Sequence, residues 1–261
     1  MKIIQPKVFL IAEPHIMRGE LGEFLKLVGA PEWHTDASSD AEELSELMGR
    51  VCYRSFAPGL NPNVTKIREG NAPYLANIIE QEHGSIFEHS QLSFVFANIS
   101  RVFTHELVRH RVGVGISQES LRYVRLDSLS ASIPTIIQET PEAMTIFTRT
   151  FEYLEKQQRE LSQVFKLDNP ETSFHQKKRA TSAMRRIAPI GLATCIGWSA
   201  NFRTLRWVLE NRTQPAAEEE MRIVFGQVGE IVTKRYPSIF SDFTVEKVEG
   251  FDWYKPAHRK I

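Results

Sequence analysis

Hydrophobic positions recur with a helical spacing along most of the chain. After Ser39, a residue type that caps helix N-termini, Leu44, Leu47 and Val51 follow at intervals of three and four residues and predict a helix. The same spacing, with Pro and Gly as start and stop signals, predicts helices over residues 40–53, 73–82, 100–111, 141–165, 174–187, 201–212 and 215–236.

Strand patterns are fewer. Residues 7–12 (KVFLIA) and 91–98 (QLSFVFAN) have the composition and alternation of half-buried strands, and the Pro- and Gly-rich residues 57–64 indicate a loop. No internal repeat, low-complexity linker or composition break is present. The sequence therefore predicts an α+β fold with a small antiparallel or mixed sheet and several long helices, in a single domain over residues 1–261.

Composition narrows the class of protein. Hydrophobic residues make up 42% of the chain and charged residues 25%, as in globular domains. No apolar run approaches the roughly 20 residues of a membrane helix, and the N-terminus lacks the features of a signal peptide. Cys52 and Cys195 are too few and too far apart for a disulfide framework. These features favour a reduced, cytoplasmic protein without a membrane partner.

Positive charge is concentrated in two segments, although the chain as a whole has 32 basic and 32 acidic residues. Residues 101–125 carry a net charge of +3, supplied by arginines, and residues 174–212 carry +7. Arginine is the side chain that clamps phosphate and carboxylate with two hydrogen bonds. The segments indicate small anionic ligands at defined sites, while solvated faces with surface ion pairs remain the alternative.

Several short motifs resemble catalytic signatures but lack a necessary residue. His105 and His110 are five residues apart, whereas a zincin helix needs histidines four apart, so we expect no metal. Gly113 and Gly115 begin a dinucleotide-binding pattern whose third glycine is replaced by Gln118. Cys195 lies in an apolar stretch typical of a core position.

One run combines charge, glycine and neutral polar residues in a way that a salt-bridge network explains poorly. Residues 109–123 read RHRVGVGISQESLRY. On a helix, Arg101, His105 and Arg109 would form one cationic ridge beside apolar residues, and a partly buried arginine needs an anionic partner. The two glycines allow close approach of backbone to a ligand, and the Ser and Gln side chains suit a ring edge.

This run resembles the signature of the flavin-dependent thymidylate synthases, in which Arg-His-Arg is followed by Ser and then x-Arg-Tyr. Other blocks resemble the same family in order and spacing over about residues 42–235. They are the segments HGSIFEH at 83–89, ISR at 99–101, HELVR at 105–109, RRIAP at 185–189, NFR at 201–203 and Arg212. The first forty residues have no match and form an N-terminal extension.

The resemblance implies a role for individual residues. It assigns FAD binding to Ser85, Arg109, His110, Arg111, Gln118, Asn201 and Arg203. It assigns binding of the deoxyuridylate to Arg101, Glu106, Arg109, Gln118, Ser120, Leu121, Arg122, Arg185 and Arg212. Arg212 would also be catalytic, favouring ionisation of the uracil at N3.

The resemblance further implies a homotetramer with active sites shared between subunits. The reaction would convert dUMP to dTMP, with methylenetetrahydrofolate as carbon donor and NADPH reducing FAD, and no cysteine of the enzyme would attack the pyrimidine. Nucleotide, folate and NADPH would be its small-molecule partners.

The chain departs from the family pattern at three places. Eight residues rather than seven separate Arg111 from Ser120, and Trp207 and Ala216 replace polar or histidine residues. These departures leave open a relative that methylates UMP or hydroxymethylates dUMP. A non-catalytic RNA-binding module is the remaining alternative, and zero net charge argues against it because such binding needs many phosphate contacts.

Overall fold

The computed structural model describes residues 1–260, which form two compact units. The first unit contains residues 1–8, 95–110 and 116–197, and the second contains residues 9–94, 111–115 and 198–260. Within the described residues the α-helices are α1 (Arg18–Leu27), α2 (Asp40–Tyr53), α3 (Asn71–Glu80), α4 (Arg101–Leu107), α5 (Thr135–Gln138), α6 (Pro141–Val164), α7 (Phe174–Met184), α8 (Phe202–Thr213) and α9 (Glu219–Arg235). Short 3-10 helices cover Gly84–Glu88 and Arg185–Ile187.

The strands form three small sheets. They are β1 (Lys2–Ile3), β2 (Lys7–Ala12), β3 (Gln91–Ser100), β4 (Val114–Gln118), β5 (Ser130–Ala131), β6 (Ala193–Asn201), β7 (Phe243–Val248) and β8 (Phe251–Pro256). The four-stranded sheet has the order β2-β3-β6-β4, and each unit contains part of it. Strands β1 and β5 pair in parallel, and β7 and β8 form an antiparallel hairpin. The α+β class is therefore confirmed.

The first unit has its core beneath the long helix α6. Phe151 of α6 is buried with Leu121, Leu129 and Leu192 in one cluster, and Phe147 stacks on Phe151 with 4.8 Å between ring centroids. At the other end of α6, Gln158 is buried and its Nε2 donates to the carbonyl oxygen of Met184 at 3.1 Å. Helix α6 therefore supports both the segment after β4 and the end of α7.

The second unit has an aromatic core formed by β6, α8 and α9. Trp198 is buried and meets the ring of Phe225 edge-on at 5.7 Å, and Phe202 meets Tyr236 in the same way at 5.1 Å. The apolar stripe of α9, predicted from its spacing, is the face that supplies Phe225. Helix α8 is thus held by its buried face while its other face remains accessible.

Several predicted elements are confirmed almost to the residue. The strand at Lys7–Ala12 and the helices Asp40–Tyr53, Pro141–Val164 and Phe202–Thr213 have the expected bounds within one residue. Ser39 caps α2 as expected, because its side chain accepts a hydrogen bond from the backbone N–H of Glu42 at 3.3 Å. No helix within residues 1–260 combines the length and the apolarity needed to cross a bilayer.

The predicted helix over residues 100–111 is too long. Helix α4 ends at Leu107, where the backbone N–H of His110 turns back to the carbonyl of Leu107 at 3.0 Å. Arg109 therefore lies beyond the helix, and the three-residue cationic ridge does not form. The chain must leave the helix here because Gly113, at φ +68°, redirects it into β4.

The starts of two other helices were predicted wrongly, and several helices and strands were not predicted. Helix α3 begins at Asn71, not residue 73, and α9 begins at Glu219 because the Glu218 carboxylate caps it. Helix α1, strands β4 and β6 and the β7–β8 hairpin were not predicted. Strand β6 was missed because Gly and Thr interrupt its apolar run, although its residues alternate between buried and less buried positions.

A buried ion pair stabilises the second unit. Arg50 and Glu46 lie one turn apart on α2, both almost fully buried, with 2.7 Å between Nη2 and Oε1. The remaining Arg50 donors bind the carbonyl oxygens of Ser55 and Arg68, each at 2.8 Å. Its guanidinium also lies 4.4 Å from the centre of the Tyr74 ring.

We expect Arg50→Met to destabilise the protein by about 3–5 kcal/mol, because it leaves the Glu46 carboxylate buried without its counter-charge. Urea unfolding followed by circular dichroism measures the change. The control is Lys26→Ala, which removes the exposed pair of Lys26 with Glu23 and should cost less than about 0.5 kcal/mol. Equal losses in the two variants would contradict the stabilising role of the buried Arg50–Glu46 pair.

Candidate functional site

In the second unit, the N-terminus of α8 brings four of the predicted cofactor-binding residues together. Asn201 caps the helix, since its Oδ1 accepts from the Thr204 backbone N–H at 2.9 Å. Its own backbone N–H donates to the carbonyl of Gly113 at 3.1 Å, and Thr204 Oγ1 donates to the carbonyl of Val112 at 2.8 Å. These bonds hold the segment after Arg111 against the helix end, which is where backbone N–H groups attract anions.

Gly113 makes this close approach possible. A Cβ at this position would lie 2.4 Å from Asn201 Nδ2 and 2.6 Å from Thr204 Oγ1, distances that no side chain tolerates. The residue also has φ +68°, a conformation that glycine adopts without strain. The sequence analysis noted this glycine for a dinucleotide-binding pattern, but its role here is to let the loop lie on the cap of α8.

Ser85 and Arg203 are brought together by Glu88. Ser85 and Glu88 are three residues apart on the 3-10 helix, so their side chains lie above one another. The Glu88 carboxylate forms an ion pair with Arg203 in the first turn of α8. Ser85, Arg111 and Arg203 are all exposed, while Asn201 is buried. The Arg203 guanidinium is thus engaged by Glu88, while the Ser85 and Arg111 side chains remain accessible.

Arg212, the predicted catalytic residue, lies in the last turn of α8. It is nine residues beyond Arg203, which is about 13.5 Å along the helix axis and half a turn around it. Trp207 lies between the two arginines in sequence, with 47% of its surface exposed. The structure therefore does not place Arg212 beside the other predicted residues of this unit, as a site shared between subunits would require.

In the first unit, Arg101 and Arg185 are close enough for their charges to repel. Burial lowers the pKa of the Arg101 guanidinium, and the positive charge of Arg185 lowers it further, against an opposing effect of Glu119. Arg101 Nη2 donates to the carbonyl of Glu119 at 3.0 Å, and its buried Nε has no partner within residues 1–260. Two arginines without a paired carboxylate form a site for an anion.

Glu119 keeps this arrangement in place. Its backbone N–H donates to the Cys195 carbonyl at 2.9 Å, and its carboxylate accepts from the Cys195 backbone N–H at 3.2 Å and from Thr194 Oγ1 at 3.4 Å. The carboxylate is thereby occupied by β6, and its carbonyl is left to hold Arg101. From the sequence, Glu119 was considered only for its charge, because the hydrogen-bond partners of its carboxylate are at least 75 residues away.

The other predicted residues of the first unit surround the end of α4 and the end of β4. Gln118 Nε2 donates to Thr104 Oγ1 at 3.0 Å, which fixes its amide on the buried side of α4. Arg109 is exposed, whereas His110 is buried. The backbone N–H of Arg109 binds the carbonyl of Glu106 at 3.4 Å, so this segment continues α4 as a tight turn.

Ser120, Leu121 and Arg122 form a turn directly after Glu119. The backbone N–H of Arg122 donates to Ser120 Oγ at 3.3 Å. The Leu121 side chain is buried in the core cluster with Phe151, so only its main chain can contact a ligand. Arg122 itself is exposed. Within residues 1–260, no group of three or more His, Cys, Asp or Glu residues could hold a metal.

A family model for the thymidylate synthase complementing protein matches residues 35–238 of the chain. This span contains every residue of the candidate site described above.

The chain belongs to the flavin-dependent thymidylate synthase family.

The family predicted from the motifs is thus confirmed, and the protein is a flavin-dependent enzyme. The flavin-dependent thymidylate synthase of Corynebacterium efficiens is 35% identical over 216 residues, covering 82% of this chain and 84% of the relative. That of Mycolicibacterium gilvum is 33% identical, covering 82% and 84%.

Two solved structures share the fold at lower identity. One is the UMP/dUMP methylase PolB from Streptomyces cacaoi bound with 5-Br dUMP, with a TM-score of 0.62, 16% identity and coverage of 92% of this chain and 95% of PolB. The other is ThyX from Helicobacter pylori with FAD and dUMP, with a TM-score of 0.56, 19% identity and coverage of 77% and 93%.

We expect Gly113→Ala to cost more stability than Gly59→Ala. Both glycines have positive φ, so both variants carry the backbone strain of about 1 kcal/mol, but only the Cβ at Gly113 collides with other side chains. Thermal unfolding should show the larger loss for Gly113→Ala. Equal losses would mean that the loop moves away from the α8 cap without cost.

Proposed function

We propose that the protein catalyses the reductive methylation of dUMP to dTMP, with FAD as its cofactor. The observation that carries the proposal is the pair Arg101 and Arg185, whose charges repel and have no paired carboxylate in the first unit. A nucleotide monophosphate carries nearly two negative charges at neutral pH, and arginine forks match its oxygens. Binding it would relieve the repulsion.

The relatives support this substrate and cofactor. Relatives that are 35% and 34% identical over 82% of the chain are named flavin-dependent thymidylate synthases. The Helicobacter pylori structure contains FAD and dUMP, and the PolB structure contains a bromo analogue of dUMP.

The N-terminus of α8 fits a flavin dinucleotide. Gly113 lets the loop after Arg111 lie against the α8 cap, and the exposed Ser85, Arg111 and Arg203 around this cradle supply donors for phosphate oxygens. Asn201 fixes the loop, and Arg109, His110 and Gln118 of the first unit are further candidates. When bound, the flavin supplies the hydride that completes the methyl group.

The nucleotide would be held by residues of the first unit. Arg101, Arg185 and Arg122 are the candidate phosphate ligands, and the fixed amide of Gln118 and the Ser120–Leu121 backbone suit the polar edges of the nucleotide. Glu106 is a further candidate for the nucleotide site. The Glu119 carboxylate accepts hydrogen bonds from β6, and its charge offsets part of the positive field that Arg101 and Arg185 would offer to the substrate.

Arg212 would act on the pyrimidine. A guanidinium beside the uracil stabilises negative charge that develops on the ring, and such preorganised electrostatic stabilisation is often the largest contribution to catalysis. Its separation from Arg203 along α8 supports a homotetramer in which one subunit supplies Arg212 and another supplies the flavin cradle. Methylenetetrahydrofolate and NADPH would be the co-substrates, and the enzyme would work in the cytoplasm.

The test is an assay of the purified protein. We expect a yellow preparation with flavin absorbance, and dTMP formation only when dUMP, methylenetetrahydrofolate and NADPH are all present. A protein that takes up no flavin, or one that binds flavin but leaves dUMP unchanged, would contradict the proposal.

Methylation of UMP is the second candidate, because the fold matches a UMP/dUMP methylase over 92% of the chain. Parallel assays with UMP and dUMP at equal concentrations decide between them. A higher kcat/KM with UMP would replace the proposed substrate and leave the proposed chemistry intact.

We expect Arg212→Ala to lower kcat by about 10²–10³, the usual effect of removing one group that stabilises transition-state charge. Flavin content should be unchanged, because Arg212 lies at the opposite end of α8 from the cradle. The control is Lys234→Ala, an exposed residue of α9 paired with Glu230. Near-normal turnover in Arg212→Ala would remove the assigned role.

A further inference from the structure

The turn at Arg122 and Tyr123 in the first unit is fixed against helix α7. Thr181 Oγ1 donates to the carbonyl of Arg122 at 2.9 Å, and the backbone N–H of Tyr123 donates to the carbonyl of Ser120 at 3.0 Å. The backbone of the turn is therefore immobilised, while the side chains of Arg122 and Tyr123 are exposed. Tyr123 and the residues of α7 that face it are not among the predicted binding residues.

Lys178 lies on the face of α7 that points to this turn. It precedes Thr181 by three residues and Arg185 by seven, so the three side chains share one face. Lys178 Nζ is 5.0 Å from the centre of the Tyr123 ring, and the Arg122 guanidinium is 6.0 Å from the same ring. Two cationic groups thus lie within 6.0 Å of the centre of the Tyr123 ring.

These cations form no ion pair in the described part of the chain. Among residues 1–260, no carboxylate comes within 4.0 Å of Arg122, Lys178 or Arg185. A hydrogen bond with Lys178, followed by the charges of Lys178 and Arg122, lowers the pKa of the Tyr123 hydroxyl. Lys177, the preceding residue, acts elsewhere, because its charge helps to lower the pKa of Asp168.

We propose that Lys178 binds the phosphate of the nucleotide substrate, together with Arg122, and that Tyr123 positions the Lys178 ammonium. The inference rests on the proposed function, and it adds a substrate-binding residue that the sequence motifs do not contain. Lysine suits this place because an ammonium acts as a point charge that reaches phosphate from the side, while arginine supplies the bidentate contacts.

The first experiment measures binding of dUMP and of deoxyuridine, which lacks the phosphate, to the flavin-loaded protein by calorimetry. Lys178→Ala should weaken dUMP binding about tenfold, the loss expected for one hydrogen bond to a charged group. Binding of deoxyuridine should stay the same. Lys177→Ala, a matched change of one neighbouring lysine, should leave both affinities unchanged.

Turnover gives a second readout. We expect Lys178→Ala to raise KM for the nucleotide with kcat retained, because the contact is made equally in the ground state and the transition state. Lys178→Arg should restore most of the affinity, and added salt should reduce the difference between the wild type and Lys178→Ala.

A third readout follows the ionisation of the Tyr123 hydroxyl. Absorbance titration at alkaline pH should show that one tyrosine ionises later in Lys178→Ala than in the wild type, and Tyr123→Phe identifies that tyrosine. An unshifted titration would contradict the contact between Lys178 and Tyr123.

The outcomes separate this inference from the proposed function. Unchanged dUMP affinity in Lys178→Ala, or an equal loss for dUMP and deoxyuridine, overturns the role of Lys178 and leaves dUMP methylation standing. Failure of the wild-type protein to bind dUMP or UMP overturns the proposed function, and the inference with it.

Discussion

The candidate nucleotide site depends on a guanidinium group that is held by a carbonyl oxygen rather than by a paired carboxylate. Arg101 illustrates the constraint: the one carboxylate in its vicinity, that of Glu119, is turned towards β6. A carbonyl oxygen orients the arginine without cancelling its charge. The Arg101 guanidinium therefore keeps a positive field that the charge of Arg185 reinforces and the charge of Glu119 partly offsets. Arg50, by contrast, is neutralised by Glu46 inside the second unit and has a purely structural role.

Regular helices were the part of the fold that the sequence revealed most directly. Helices α2 and α6 have apolar stripes and terminal signals that agree with each other, so their bounds followed within one residue. Strand β4 was not recognised because it is short and mostly exposed, and strand β6 was not recognised because small and polar residues interrupt its apolar positions. The β7–β8 hairpin turns at Glu249 and Gly250, and this turn signal was not recognised in the sequence.

The family resemblance proposes the residues of the candidate site, but the sequence does not reveal the contacts that these residues make. Resemblance to a family supplied Ser85, Arg203 and Arg185, but nothing local indicated that Glu88 would pair with Arg203 across 115 positions. Lys178 is a further example, because it stands in a basic run of a helix and only its distance to Tyr123 distinguishes it from Lys177. Such pairings arise from tertiary packing, which a single sequence does not encode in a readable pattern.

The exposed Trp207 gives α8 an optical property that none of the buried aromatic residues shares. Its indole lies between the flavin cradle at one end of the helix and Arg212 at the other, with nearly half of its surface accessible. Indole emission depends on hydration and is quenched by energy transfer to a nearby isoalloxazine. The helix therefore contains an intrinsic fluorophore, which would register the arrival of a cofactor without any label.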